Sequence, residues 1–126
     1  MEDQPNRVLV VDDDEAIRIM VARVLRREKY EVDSARDGFE AIEKLAKNDY
    51  GTILLDLMMP RIDGHGVLRY LETHLPKKAH SVIIMTANLP NGAAEEHAQP
   101  VFRVLSKPFD IQQLVANVRD CAGNHT

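Results

Sequence analysis

Near its N-terminus the chain reads Val8-Leu9-Val10-Val11-Asp12-Asp13-Asp14-Glu15, four apolar residues running straight into four acids. A strand with one wet face alternates apolar and polar residues. This run does not, so it reads as a strand buried on both faces, the habit of parallel sheets. Ile53-Leu54-Leu55 and Ser81-Val82-Ile83-Ile84-Met85 repeat the pattern, and Glu31 to Ala35 and Val101 to Leu105 are weaker strand candidates. Apolar residues at helical spacing lie between them: Ala16/Ile17, Met20/Val21 and Val24/Leu25, then Phe39, Ile42, Leu45 and Ala46, then Val67, Leu68 and Leu71. Ile111, Leu114, Val115 and Val118 form the last such stripe. Asp13 or Asp14, Asp37 and Asp110 stand where helix caps belong. The remaining helix is short, Ala93 to Gln99, behind the turn-rich Asn88-Leu89-Pro90-Asn91-Gly92. Strict strand-helix alternation over five units predicts a doubly wound α/β domain with a five-stranded parallel sheet.

The rest of the composition fits one such domain. The chain has 126 residues, 44% of them hydrophobic and 29% charged, with a net charge of −4. That suits a single core and carries no general basic footprint for nucleic acid. One cysteine, Cys121, excludes an internal disulfide and a Cys-rich zinc site. No apolar run approaches the length of a membrane span, and the polar start, Met1 to Arg7, lacks a signal-peptide core. A cytoplasmic setting is the expectation.

In doubly wound sheets the functional crevice lies at the carboxyl ends of the strands. Here those ends carry Asp12-Asp13 after the first strand, Asp56 after the third, Thr86 after the fourth and Lys107 after the fifth. Asp14 and Glu15 are explained by a helix N-terminus, which favours acids. Asp12, Asp13 and Asp56, directly after buried strands, are not. Gathered together, three carboxylates repel unless a cation intervenes. One lysine and one divalent cation balance their charge, and all-oxygen ligands favour Mg²⁺, with Mn²⁺ as a substitute. His65, His74, His80, His97 and His125 show no ligand spacing and read as surface residues, and Cys121 reads as packing.

The motifs together resemble a response-regulator receiver domain. Val8 to Asp14 looks like its opening, Leu54-Leu55-Asp56-Leu57-Met58-Met59-Pro60-Arg61-Ile62-Asp63-Gly64 like its phosphoacceptor segment, and Thr86-Ala87 and Lys107-Pro108-Phe109 match its two remaining positions. The resemblance covers essentially the whole chain. It implies a flavodoxin-like (βα)5 fold with strand order 2-1-3-4-5, a single domain over 1–126 and a core over about 6–122. It further implies that Asp56 accepts a phosphoryl group from a histidine kinase or phosphotransfer protein. Asp12, Asp13, Asp56 and the Met58 backbone carbonyl would hold Mg²⁺, Lys107 would contact the phosphoryl oxygens and Thr86 would report their arrival. The Lys107–Pro108 bond would be cis.

The chain also departs from the family pattern. Three residues before Lys107, where the family usually has Tyr or Phe, stands Val104. Phe102 is expected on the same strand face, as partial aromatic cover or simple packing. Thr86 and Lys107 are one residue closer than usual, which puts the surface of the fourth helix, fifth strand and last helix in question. A short or mobile segment is expected near 88–92. Met58 and Asn88 occupy the positions that tune phosphoryl lifetime, and an apolar Met58 is expected to slow self-dephosphorylation.

Three other readings compete. A Mg²⁺-dependent phosphohydrolase with an aspartyl-phosphate intermediate typically has an acid where Met58 stands. A flavin-binding domain needs a phosphate loop, which four acids would oppose. A receiver used only for docking would not need all five polar site residues. The signalling module, rather than an enzyme, is therefore the expected class. The lysine motif and last helix run to about Ala122, so a separate output protein is expected if this is the complete natural chain, and a module cut from a longer protein if it is not.

Overall fold

The computed structural model describes residues 6–57, 64–86 and 101–123. Five strands form one sheet: β1 (Arg7–Val11), β2 (Glu31–Ala35), β3 (Thr52–Asp56), β4 (Val82–Thr86) and β5 (Arg103–Ser106). Every neighbouring pair is parallel, and the order is β2-β1-β3-β4-β5. The α-helices among the described residues are α1 (Glu15–Arg27), α2 (Gly38–Lys47), α3 (Gly64–His74) and α4 (Ile111–Gly123). The order reverses direction between β1 and β3, so a crevice opens beyond their carboxyl ends.

The unbroken apolar runs do lie buried on both faces. Leu9, Val11, Ile53, Leu55, Val82 and Ile84 pack with Ala41, Leu45, Val67, Leu68 and Leu71 of α2 and α3. Val8, Val10, Leu54, Ile83 and Met85 point the other way, onto Val21, Leu25, Leu114, Val118 and Cys121 of α1 and α4.

The helix starts obey their caps. Asp14 accepts the Ile17 N–H at 3.2 Å, Asp37 accepts the Glu40 N–H at 2.9 Å and Asp110 accepts the Gln113 N–H at 2.6 Å. Helix α1 ends in a Schellman motif, in which Tyr30 N–H reaches the Leu25 carbonyl and Lys29 N–H the Arg26 carbonyl, each at 3.1 Å. Lys29 takes the left-handed conformation this requires, with φ 74°.

Several local expectations shift. The buried residues of α2 are Gly38, Ala41 and Leu45, while Phe39 is 46% exposed. Small residues let the helix approach the sheet, and the large ring is left exposed. Ile111 belongs to the apolar stripe of α4 by spacing, yet at the helix's first residue it is 50% exposed. A 3-10 helix over Pro76–Ser81, not anticipated, leads into β4. The expected helix over Ala93 to Gln99 and the expected mobile segment at 88–92 lie outside the described residues.

Phe102 requires a correction. It precedes β5 rather than lying within it, so strand alternation does not govern it. It packs with Leu105 in the layer beneath α1 and α4, whereas Val104 packs in the layer beneath α2 and α3. The two residues are on opposite sides of the sheet, and Phe102 cannot cover for an aromatic at Val104.

Candidate functional site

The carboxyl ends of β1, β3, β4 and β5 converge. Asp12 follows β1 and is wholly buried, Asp56 closes β3 and is 4% exposed, and Asp13 is exposed. Asp12, Asp13 and Asp56 each offer a carboxylate oxygen, and these oxygens all lie within 4.8 Å of one another. Strand pairing brings them together: Val11 sits beside Leu55 in the register, so the residues that follow emerge side by side.

Lys107, after β5, reaches across the sheet to this cluster. Its Nζ lies 2.8 Å from Asp12 Oδ2 and 3.3 Å from Asp56 Oδ2. Burial works against its charge, but Asp12 and then Asp56 outweigh that and hold its pKa above the usual lysine value. The Lys107 N–H donates to the Thr86 carbonyl at 2.8 Å, which ties the ends of β4 and β5 together. Thr86 itself is buried at the end of β4. The Lys107–Pro108 peptide bond is cis. Met58 and Asn88 lie outside the described residues.

Asp12 is held at every polar group. Its N–H donates to the Ala35 carbonyl at 3.1 Å, its Oδ1 accepts the Asp14 N–H at 2.9 Å, and its carbonyl accepts Arg18 Nη1 at 2.8 Å. Nothing in the spacing of Arg18 within an amphipathic helix signals that last contact.

Gly64 is a second residue whose place is set by the fold. In the sequence the Asp63-Gly64 pair reads as a turn before a helix. In the fold Gly64 is buried against the segment after β3, and its N–H donates to the Leu57 carbonyl at 3.3 Å. A Cβ there would collide with Leu57 Cα and come 2.5 Å from the Asp56 carbonyl oxygen. Glycine thus permits α3 to pack directly on the backbone that carries Asp56.

The remaining candidates fall away from this centre. Cys121 is buried beneath the sheet, with its Sγ 3.5 Å from the Ser81 carbonyl and 3.7 Å from that of Gly51. His74 and His80 are exposed and His65 is half-buried. Among the described residues the three aspartates form the one cluster of potential metal-ligating groups. Three carboxylates facing one ammonium leave a deficit of positive charge, and hard oxygen donors suit a small divalent cation.

Comparison with known proteins shows the family. The family described as "Response regulator receiver domain" matches residues 8–119. The chain is 38% identical over 122 residues to the response regulator MprA of Mycobacterium sp. (strain KMS), covering 91% of this chain and 50% of that protein. It is 35% identical over 115 residues to the transcriptional regulatory protein SrrA of Staphylococcus aureus (strain NCTC 8325 / PS 47), covering 90% and 46%. The chain therefore spans about half the length of these relatives. Among solved structures it resembles response regulator TrrA of Thermotoga maritima in complex with Mg²⁺-BeF, with TM-score 0.78, 30% identity and 91% and 97% of the two chains covered.

Proposed function

This chain belongs to the response-regulator receiver family of two-component signalling, and from that premise we propose that it takes up a phosphoryl group on Asp56. Receiver domains are signalling modules. The observation that carries the proposal is the convergence of three carboxylates with Lys107 at the carboxyl edge of the sheet.

In the proposed step a carboxylate oxygen of Asp56 attacks the phosphorus of a phosphohistidine on a histidine kinase or phosphotransfer protein. The new O–P bond forms as the N–P bond breaks, and the imidazole leaves with the electron pair and is protonated. Phosphoryl transfer needs positioning and charge neutralisation more than covalent help. An ionised carboxylate at neutral pH is a competent nucleophile. Lys107, already within 3.3 Å of Asp56, is placed to follow its phosphoryl oxygens. Thr86, buried on the neighbouring strand end, supplies a hydroxyl donor on that side.

Asp12, Asp13 and Asp56 would hold Mg²⁺ or Mn²⁺, with the Met58 carbonyl as a further oxygen. Bound there, the cation neutralises charge on the transferring group. Asp12 and Asp13 supply the negative field that favours its binding, and Asp12 is kept in place by its four hydrogen bonds.

Phosphorylation changes the charge and hydrogen-bonding at Asp56, enough to reorganise the loops around it. Output then passes to a partner protein or to a further domain, as the half-length match to the relatives supports. No helix among the described residues is long and apolar enough to cross a membrane. A cytoplasmic role, without direct nucleic-acid contact by this domain, is the setting we propose.

The test is intact-mass analysis after incubation with a small phosphodonor and Mg²⁺. The expected result is a labile phosphate adduct on the wild type and none on Asp56→Asn. Absence of any adduct across several donors would sink the reading. Multiple turnover of a phosphate ester would instead favour a phosphohydrolase.

A further inference from the structure

We propose that Arg18 is a positioning residue for the acidic site, acting through the backbone of Asp12 on the placement of Asp13. The inference rests on the reading of Asp12, Asp13 and Asp56 as a divalent-cation site.

The reason lies in where β1 stops. Asp12 extends the β1–β2 ladder by donating its N–H to Ala35, but the β1–β3 pairing ends at Val11 and Leu55. The Asp12 carbonyl is thus left beyond the last β1–β3 pair, on a residue with no exposed surface. A buried carbonyl needs a donor. Arg18, in the first turns of α1, reaches back six positions and places Nη1 2.8 Å from it.

That carbonyl belongs to the Asp12–Asp13 peptide. Because the peptide is planar, fixing its oxygen fixes the direction in which the Asp13 Cα departs. Asp12's own carboxylate has independent anchors, Asp14 N–H on Oδ1 and Lys107 on Oδ2. Asp13 is exposed, so its position depends on the backbone that carries it. Without Arg18 the carbonyl must turn to find another donor, and Asp13 turns with it.

The sign of the effect separates positioning from charge. A guanidinium near a cation site repels the cation, so a purely electrostatic Arg18 would weaken binding, and its removal would tighten it. Positioning predicts the reverse.

The experiment measures Mn²⁺ affinity by water-proton relaxation on the whole chain, at a temperature where circular dichroism shows every variant folded. Arg18→Met and Arg18→Gln are compared with wild type and with Arg23→Gln, an exposed arginine on the same helix. Loss of groups that orient metal ligands typically weakens binding by about tenfold or more, and that is the expectation for both Arg18 variants. Arg23→Gln should bind as wild type does. Unchanged or tighter binding in a folded Arg18 variant would overturn the inference, as would equal weakening in Arg23→Gln. Two variants are used so that the failure of one to fold leaves the other decisive. Failure of the wild type itself to bind Mn²⁺ would overturn the cation-site reading, and this inference with it. Normal wild-type binding with normal Arg18 variants would overturn this inference alone.

Discussion

Lys107 Nζ sits 2.8 Å from Asp12 Oδ2, across 95 positions of sequence. The contact joins the loop after the edge strand β5 to the loop after the inner strand β1, spanning β3 and β4. It sets an ammonium against two acids that belong together only in the folded chain.

Removing that ammonium should make the protein depend more on a divalent cation. Lys107→Met leaves a buried Asp12 carboxylate without its counter-charge, which is destabilising. Added Mg²⁺ should therefore raise the melting temperature of Lys107→Met by more than it raises that of wild type. The pH dependence has a defined sign. The folded pKa of Lys107 lies above its ordinary value, so its contribution is complete below about pH 10.4 and fades as pH rises through the folded value. Denaturant titrations should show a constant gap between wild type and variant from neutral pH to about 10, closing above it.

Gly64→Ala should disturb Asp56 from outside the acidic cluster. Its methyl group would collide with Leu57 Cα and the Asp56 carbonyl, both backbone atoms that cannot move aside cheaply. A stability loss of about 1–3 kcal/mol is expected from such overpacking, together with slower labelling of Asp56 by a phosphodonor. Gly123 meets nothing within 4 Å, so Gly123→Ala is the matched control and should neither lower stability nor slow labelling. Normal labelling kinetics in Gly64→Ala would contradict the argument.

Away from the site, Asp33 holds two partners. The Tyr50 hydroxyl donates to its Oδ2 at 2.7 Å and Arg7 Nη2 lies 2.9 Å away. Burial raises the Asp33 pKa, but Tyr50 and then Arg7 outweigh it, and the net shift is downward. Burial and then Asp33 push the Tyr50 phenol well above its usual value, so it remains a donor. Tyr50→Phe should lose about 2 kcal/mol at neutral pH, as for a hydrogen bond to a charged group. An Asp with a lowered pKa stabilises above its unfolded value and loses that contribution as pH falls, so the gap should narrow below about pH 4. Urea denaturation at pH 7 and pH 3 provides the comparison, and Asp56 labelling should be unaffected.

Cys121 should be inert while the protein is folded. It has no exposed surface, and burial raises its thiol pKa, so little thiolate forms and none is accessible. A thiol reagent should react only at the rate of opening, and rapid, complete labelling under native conditions would refute the placement.

Much of the fold is legible because its signals are local. The unbroken apolar runs at Val8, Ile53 and Val82 announce strands covered on both faces, and Asp14, Asp37 and Asp110 announce helix starts through hydrogen bonds made three residues away. The misreadings occur where a local rule meets an edge. Phe39 and Ile111 follow helical spacing but stand in the first turn of their helices and remain exposed, and Phe102 stands one residue before β5, where alternation has not begun.

The acidic site divides in the same way. Sequence alone determined which residues stand at the strand ends, since an aspartate directly after a buried strand is costly unless something uses it. Strict strand-helix alternation also announced a parallel, doubly wound sheet, whereas its order β2-β1-β3-β4-β5 was expected only from the family resemblance. Only the tertiary structure decided that Lys107 reaches Asp12 first and Asp56 second, that Arg18 closes the Asp12 carbonyl, and that α3 rests on Asp56 through Gly64. Those contacts join residues by the register of the sheet and the approach of helices, and neither is written in the spacing of any one segment.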